Sequence, residues 1–562
     1  MPTYSKSYLK DFLVEQIVEV YRALHNVKPT VAVDIRASDR PEFGDYSTNI
    51  AMIEASRSGT DPRALAERLA QALSASLPKA DFGKCEVAGP GFINLFLTPH
   101  RIQRALQAVL AEADGYGRQN LGAGETLQVE FVSSNPTGPL TVGHGRQAVL
   151  GDVLATLYDR IGYKVEREYY YNDEGRQIDL LAESLWVRYR EQFGETHEIP
   201  EDGYRGEYLI PLAIDLKSNL KQPFPEFNDE AKDIFRHAAV DRIKQQIRKD
   251  LNKLGVYFNY WFSEADLHVP QKGEDPRSLV QSALDMLRDR NGVYEKDGAI
   301  WLKAEEHGGA KDSVLIRSDD RPTYLMVDIA YHINKHERGF DHVINVQGAD
   351  HHAEQSCMKA AMRILGYPDD WLSYAVHQFV SLKEGGETLK MSTRAGRFVT
   401  LRDLIDELGK DIVRYFMISR KPEAHLDFDL DLARAESLDN PVTYIQYAHT
   451  RIASVFRKAG EPEADWASVD LSPLVEPEEL ELIKALDRFP EVVRTAAYDF
   501  APHLLAEYAL DLSRSFHAYY DKHRVLTDDE SLSQARLALL RALQTVLRNG
   551  LDALGMDAPS EM

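Results

Sequence analysis

VEFVSSNPTGPLTVGHGRQAVLGDVLATLY, residues 129–158, opens as an alternating β-rich run (Val129, Phe131, then Val132) and breaks at Asn135-Pro136-Thr137-Gly138-Pro139. It resumes with apolar residues at Val149, Val153, Leu154 and Leu157, which is helical spacing. The order is strand, tight loop, helix. Gly143 and Gly145 flank His144 where the helix begins, so backbone there can approach a ligand and the unpaired amides of the first turn can face a phosphate. Glycines also punctuate ordinary strand-to-helix turns, so the reading as a nucleotide loop rests on the surrounding sequence.

Outward from this stretch, residues 163–171 (YKVEREYYY) predict a second strand, which completes a β-α-β unit of the doubly wound kind. Long helical patterns such as 228–254 and 278–290 then break the alternation and predict a helical insertion over about 177–302, inside a nucleotide-binding domain of residues 125–430. A hydrophobic run at 343–346 leads into Gln347-Gly348-Ala349-Asp350-His351-His352, at the strand end where doubly wound sheets bind ligands. Residues 1–112 predict a separate α+β domain: a helix over 5–23, an extended stretch near 31–35, a helix over 62–77 and a turn leading into a strand over 86–95. The glycine-rich polar stretch 112–124 marks its boundary, and residues 431–562 predict an all-α domain.

A chain of 562 residues has length for roughly three to four domains. No run approaches the roughly 18 apolar residues of a membrane span, and charged residues thread the apolar stripe of residues 1–21, so this reads as a first helix and not a signal peptide. Cys85 and Cys357 are too far apart in sequence to suggest a disulfide framework or a Cys-based zinc site, and a reducing cytoplasm fits. The net charge of −23 argues against coating nucleic acid by bulk charge, while a structured RNA can still be gripped by shape and a local basic groove. His351 and His352 beside Asp350 lack a further spaced ligand, and His332 and His336 lack the Glu of a metalloprotease helix. No structural metal is expected, and the latter two histidines read as ordinary helix-face residues.

Thr141-Val142-Gly143-His144 resembles the H-x-G-H first signature of class I aminoacyl-tRNA synthetases, with Thr141 where the first His stands. The flanks SSNPTGPL and GR, with YYYNDEGRQ (169–177) and RSDDRPTYLMVDIAYH (317–332), are similar to arginyl-tRNA synthetases in particular. Lys390-Met391-Ser392-Thr393-Arg394 resembles the second signature K-M-S-K-S, with Thr393 in place of the second lysine. The resemblance covers nearly the whole chain. It implies a Rossmann-like catalytic domain with ATP held at Thr141, Val142, Gly143, His144, Gly145, Asp350, His351, Met391 and Ser392. His144, Lys390 and Arg394 are the implied catalytic residues, because negative charge builds on the phosphate oxygens as pyrophosphate leaves. Family members without the second lysine carry one just upstream of the first signature; here that region is Thr137-Gly138, and Lys390 and Arg394 remain as candidates.

Tyr324 and Asp328 stand four apart in an apolar YLMVDIAY run, so helical spacing would bring phenol and carboxylate together. A buried Asp needs a partner, and a guanidinium would serve both groups; capping, or pairing with a protein Arg, is the alternative. The resemblance assigns both to the arginine side-chain pocket, and Glu130, Ser133 and Asn135 to the amino acid. It implies that residues 1–112 touch the tRNA elbow through Tyr46 and Asn49, and that residues 431–562 bind the anticodon through Tyr444, Tyr447 and Met562. Turn or cap chemistry for the first pair, and core packing for the tyrosines, are the alternatives. The implied activity is ligation of arginine to its tRNA, with ATP and Mg²⁺, by a cytoplasmic enzyme of a commonly monomeric family. Another H-x-G-H nucleotidyltransferase, or a tRNA-binding paralogue without catalysis, stays open.

Overall fold

Five parallel strands form the central sheet, in the order Leu372–His377, His342–Gly348, Thr126–Glu130, Lys164–Tyr171, Tyr260–Ser263. The computed structural model describes residues 9–38, 40–173, 175–220, 224–270, 277–349, 352–389, 400–460 and 464–562. Strand order reverses at Thr126–Glu130, the central strand, and this switch point is where doubly wound sheets open a crevice for ligands. The helix Val142–Arg160 follows it directly and is buried along most of its length. Gly151 makes that packing possible: a Cβ there would stand 2.2 Å from the Phe131 ring.

The stretch over 177–302 is not helical throughout. Helices Arg176–Glu191, Leu209–Asn219 and Asp229–Lys253 carry its first part, but Tyr260–Ser263 is the edge strand of the central sheet, paired with residues 168–171. Beyond it, Val293–Lys296, Ala299–Leu302 and Ser313–Ile316 form a small antiparallel sheet, so the inserted structure is mixed and runs past residue 302. Cross-strand rings explain the edge strand: Trp261 stacks on Tyr169 at 4.3 Å and Phe262 on Tyr170 at 6.1 Å, one pair on each face.

Residues 9–112 form an antiparallel sheet, Ile35–Ala37, Tyr46–Thr48, Phe92–Leu97, Phe82–Ala88 in spatial order, with helices Leu9–His25, Ile50–Ser58 and Pro62–Ser76. The C-terminal part is built from helices Pro441–Lys458, Pro477–Asp487, Phe489–Tyr498, His503–Lys522 and Glu530–Ala553. One apolar cluster runs from Leu9 to Met556 through all three parts. At their junction Arg414, wholly buried, donates to Asp152 Oδ2 of the signature helix (2.6 Å), to the Leu254 carbonyl (3.2 Å) and to the Leu554 carbonyl (2.7 Å). Gly555, at φ +70, makes room for it: a Cβ there would lie 2.2 Å from the guanidinium.

Candidate active site

The first signature sits at the start of the Val142–Arg160 helix, as its glycines foretell. Thr141 is extended, and its backbone N–H donates to His144 Nδ1 at 3.0 Å, with the Thr141 hydroxyl 3.1 Å from the same nitrogen. Burial pushes the imidazole down to about 4, helped by nearby His377, so His144 is neutral at working pH. Because Nδ1 accepts, the proton belongs on Nε2, a donor available to a ligand. Gly143 is exposed, whereas Val142 and Gly145 are buried, which limits Val142 to what its backbone can offer.

The next residue ties the first signature to segments on either side of the second. Arg146, 1 % exposed, donates to the carbonyls of Gln378 (2.6 Å), Ala424 (2.9 Å) and Lys421 (3.0 Å). Leu401 N–H donates to the Leu140 carbonyl at 2.8 Å, and Thr400 bridges Thr141. Residues 389 and 400, which flank the second signature, therefore belong to segments fastened beside the first. Lys390, Met391, Ser392, Thr393 and Arg394, with Asp350 and His351, lie outside the described residues.

Beside the signature, at the C-terminal end of the sheet, lies a pocket of about 50 Å³ lined by Glu130, Tyr170, Asp328, His332, Asn345 and Glu354 among others. Glu130 accepts from the Ser133 hydroxyl (2.9 Å) and from Lys335 Nζ (2.6 Å), and Lys335 also reaches Asn345 Oδ1 (3.0 Å). Glu264 accepts from the Tyr170 hydroxyl at 2.6 Å. The Asp328 carboxylate accepts no hydrogen bond among the described residues. Desolvation, then Glu130, Glu264 and Glu354, push it up to about 8 against the smaller pull of Lys335. A pocket of this charge favours a cationic ligand over a neutral or anionic one.

Tyr324 is elsewhere. It is 69 % exposed and lines a wider cleft of about 730 Å³ with Asn135, Arg176, His268, Arg317 and Arg321, so the expected meeting of phenol and carboxylate does not occur in this conformation. The helix Tyr324–Glu337 begins at Tyr324 itself, where a side chain clears the core that Asp328, one turn on, faces. Asn135 lines the same cleft, its amide donating to Gln177 at 3.2 Å. His332, expected as an ordinary helix-face residue, is instead buried in the acidic pocket: its Nδ1 lies 2.7 Å from the Asp328 carbonyl and its Nε2 2.8 Å from the Asn345 amide. Burial and Lys335 push its pKa down to about 3. Among the described residues no three His, Cys, Asp or Glu side chains cluster to hold a metal ion.

With this geometry established, the relatives are informative. A family described as tRNA synthetases class I (R), catalytic domain, matches residues 105–421. The arginyl tRNA synthetase N terminal domain matches 11–97, and the DALR anticodon binding domain matches 445–562. The arginine–tRNA ligase of Thermotoga maritima is 44 % identical over 536 residues, 95 % of this chain and 96 % of that one. The chain belongs to the arginyl-tRNA synthetase family. The arginine–tRNA ligase of Coxiella burnetii (strain RSA 331) is 40 % identical over 590 residues, covering 98 % of this chain and 99 % of that one. The arginyl-tRNA synthetase structure from Thermus thermophilus superposes with a TM-score of 0.77 at 26 % identity, over 99 % of this chain and 100 % of that chain.

Within this arginyl-tRNA synthetase fold, Tyr444 and Tyr447 are half-buried on one face of the Pro441–Lys458 helix, their rings 4.7 and 5.7 Å from that of His517. Arg451 continues the face, 4.2 Å from the Tyr520 ring. The last residues are laid along this helix: the Pro559 carbonyl accepts from His449 (2.8 Å) and Thr450 (3.1 Å), and the Ser560 carbonyl from Arg457 (3.1 Å). Met562 is left 65 % exposed beyond them. Asn49 is the N-cap position of Ile50–Ser58 but makes no side-chain capping bond. Tyr46 does not face solvent: it is 3 % exposed, paired between Ala37 and Leu95, and covered by Asp487, Arg488 and Glu491 of the helical domain. Its strand turns this ring inward, so Tyr46 is scaffold and has no face to offer a base.

Proposed function

We propose that this chain activates arginine with ATP and then charges an arginine-accepting tRNA. The arginine carboxylate attacks the α-phosphorus, pyrophosphate leaves, and arginyl-adenylate remains; a hydroxyl of the 3′-terminal adenosine then attacks the arginyl carbonyl and AMP leaves. The observation that carries the reading is Asp328, a carboxylate pushed up to about 8 in an acidic pocket, at the switch point beside the His144 helix. A guanidinium supplies the missing charge and a planar fork of donors. Glu130, held by Ser133 and Lys335, presents its remaining lone pairs toward the amino acid, and Asn135 stands at the mouth of the adjoining cleft.

ATP would lie over the helix N-terminus, where exposed Gly143 lets phosphate approach the first-turn amides and His144 Nε2–H donates. Mg²⁺ enters with the phosphates as part of that substrate. Lys390 and Arg394 are the cations proposed for the charge that builds in the transition state, with Met391, Ser392, Asp350 and His351 around the nucleotide. For tRNA we propose the elbow on residues 1–112 with Asn49 as the contact, and the anticodon on residues 431–562 through Tyr444, Tyr447 and Met562. No helix among the described residues is long and apolar enough to cross a membrane, and the two cysteines are free; we place the enzyme in the cytoplasm as a monomer. Arginine-dependent ATP–pyrophosphate exchange, measured with and without tRNA, tests the reading. Exchange driven equally by lysine, or by no amino acid, overturns it.

A further inference from the structure

The loop between the central strand and the signature helix is held in a conformation that its own residues disfavour. Ser133 N–H donates back to the Phe131 carbonyl at 3.0 Å, closing a three-residue turn around Val132, whose φ is +67; Ser133 follows at φ +38. A turn of this hand is strained, and more so on a β-branched residue. Such backbone persists only where its surroundings fix it. The fixing group is the Tyr169 phenol: it accepts from Ser134 N–H at 3.1 Å and donates to the Ser134 carbonyl at 2.9 Å, so one hydroxyl ties together the two successive peptide units that flank the Ser134 Cα.

Tyr169 is itself immobilised. It is 1 % exposed, stacked at 4.3 Å on Trp261 and edge-on to Phe258 at 5.3 Å. Its neighbour Tyr170 donates its backbone N–H to Ser133 Oγ at 3.2 Å, and that hydroxyl donates to Glu130 at 2.9 Å. Two successive strand residues thus hold two successive loop residues, one through its side chain and one through its backbone. A buried tyrosine hydroxyl finds a partner in most proteins. Here its partners are the N–H and the carbonyl of Ser134, the residue that follows two left-handed residues and precedes Asn135.

We propose that Tyr169 is a positioning residue for arginine activation: its hydroxyl clasps the Ser134 backbone on both sides of its Cα, keeps Val132 in the left-handed turn, and thereby aims Ser133, Glu130 and Asn135 at the amino acid. It touches no substrate. The proposal rests on the arginine-activating function given above.

Tyr169→Phe keeps the ring and its stack and removes only the clasp. In ATP–pyrophosphate exchange by the full-length enzyme its arginine KM rises about 5- to 150-fold, the range for orphaning buried peptide groups, while its ATP KM stays within about twofold. Glycine takes positive φ without penalty, so adding Val132→Gly to Tyr169→Phe restores most of the lost arginine affinity, beyond whatever Val132→Gly does alone by emptying the space of a buried side chain, a non-additivity that a merely structural tyrosine would not produce. A parental arginine KM in Tyr169→Phe overturns the proposal, as does an equal loss of arginine and ATP binding, or additive behaviour of the two substitutions. Deuterium exchange of the Ser134 amide is the second measurement: faster exchange in folded Tyr169→Phe supports the clasp, and unchanged exchange removes it. That readout is independent of activity, so a parent enzyme inactive with arginine would sink the proposed function while exchange still decides whether the clasp exists.

Discussion

Around Asp328 the fold gathers Glu130, Glu264 and Glu354 and leaves one carboxylate pushed up to about 8. On the Pro441–Lys458 helix it lays out half-buried rings at Tyr444 and Tyr447 and satisfies the nearby backbone carbonyls of the tail from His449, Thr450 and Arg457. In the first region Asp328 is left without a hydrogen-bond donor among the described residues, whereas in the second the tail carbonyls already have theirs. A small, charged, rigid ligand can be selected by an electrostatic debt that it alone settles. A long, many-contact RNA can be held by surfaces that cost the free protein little, each ring offering a face to a base.

Asp328→Asn attacks that contrast where it is widest. Asparagine keeps the shape, loses the charge, and sets an NH₂ donor against a guanidinium that has donors only; the arginine KM rises about thirtyfold to several thousandfold. ATP KM is the control, and because the native carboxylate is a strain on the fold, the melting temperature at pH 8 holds or rises. Normal arginine binding with a lower melting temperature would make Asp328 scaffold.

The same group predicts a pH dependence confined to the catalytic side. Its folded pKa lies above its unfolded value, so the fold binds the extra proton between the unfolded value near 3.8 and about 8, and stability falls as pH rises through that window. Arginine needs the ionised form, so the arginine KM drops about tenfold per pH unit from 6 toward 8 and then levels, while Asp328→Asn is flat and the tRNA KM does not follow that curve. A parental arginine KM independent of pH over this range would refute the assignment.

On the other side, Tyr447→Ala raises the tRNA KM about 5- to 150-fold, the worth of one stacked base, with arginine and ATP unaffected in exchange. Removing residues 560–562 has a smaller effect of the same kind, about tenfold or less, because an exposed thioether is a softer contact. A truncated enzyme that melts earlier with unchanged tRNA KM would make the tail structural. The least effect belongs to Thr141→Val: the backbone N–H that sets the His144 tautomer is kept, so the exchange rate falls by about tenfold at most. A larger loss would show that the hydroxyl itself substitutes for the first signature histidine.

What could be read in the sequence follows from how local its cause is. The helices at 228–254 and 278–290 are found within a residue or two because Asn228 and Ser278 cap them, and the signature helix begins at its glycines. The edge strand Tyr260–Ser263 is four residues long and owes its existence to Lys164–Tyr171, ninety residues away, so long helical patterns on either side hide it. Asp328 stood out as an acid in an apolar run. Lys335, Asn345 and His332 did not, because Lys335 meets Glu130, and Lys335 and His332 meet Asn345, only after a helix is packed across two strands. Tyr46 shows the same limit: no spacing reveals which face of a strand another domain will cover.

Arg414 bears on how this enzyme can be taken apart. Its three partners come from the signature helix, from the end of the inserted helices, and from Leu554 at the close of the last helix. A fragment ending near residue 430 would lose the Leu554 carbonyl and the Gly555 backbone that covers the guanidinium, opening Arg414 to water, while baring the apolar cluster that runs on to Met556. Such a fragment is expected to melt well below the whole chain, and a separate peptide that carries the final helical turn with Gly555 is expected to raise its melting temperature by docking onto Arg414.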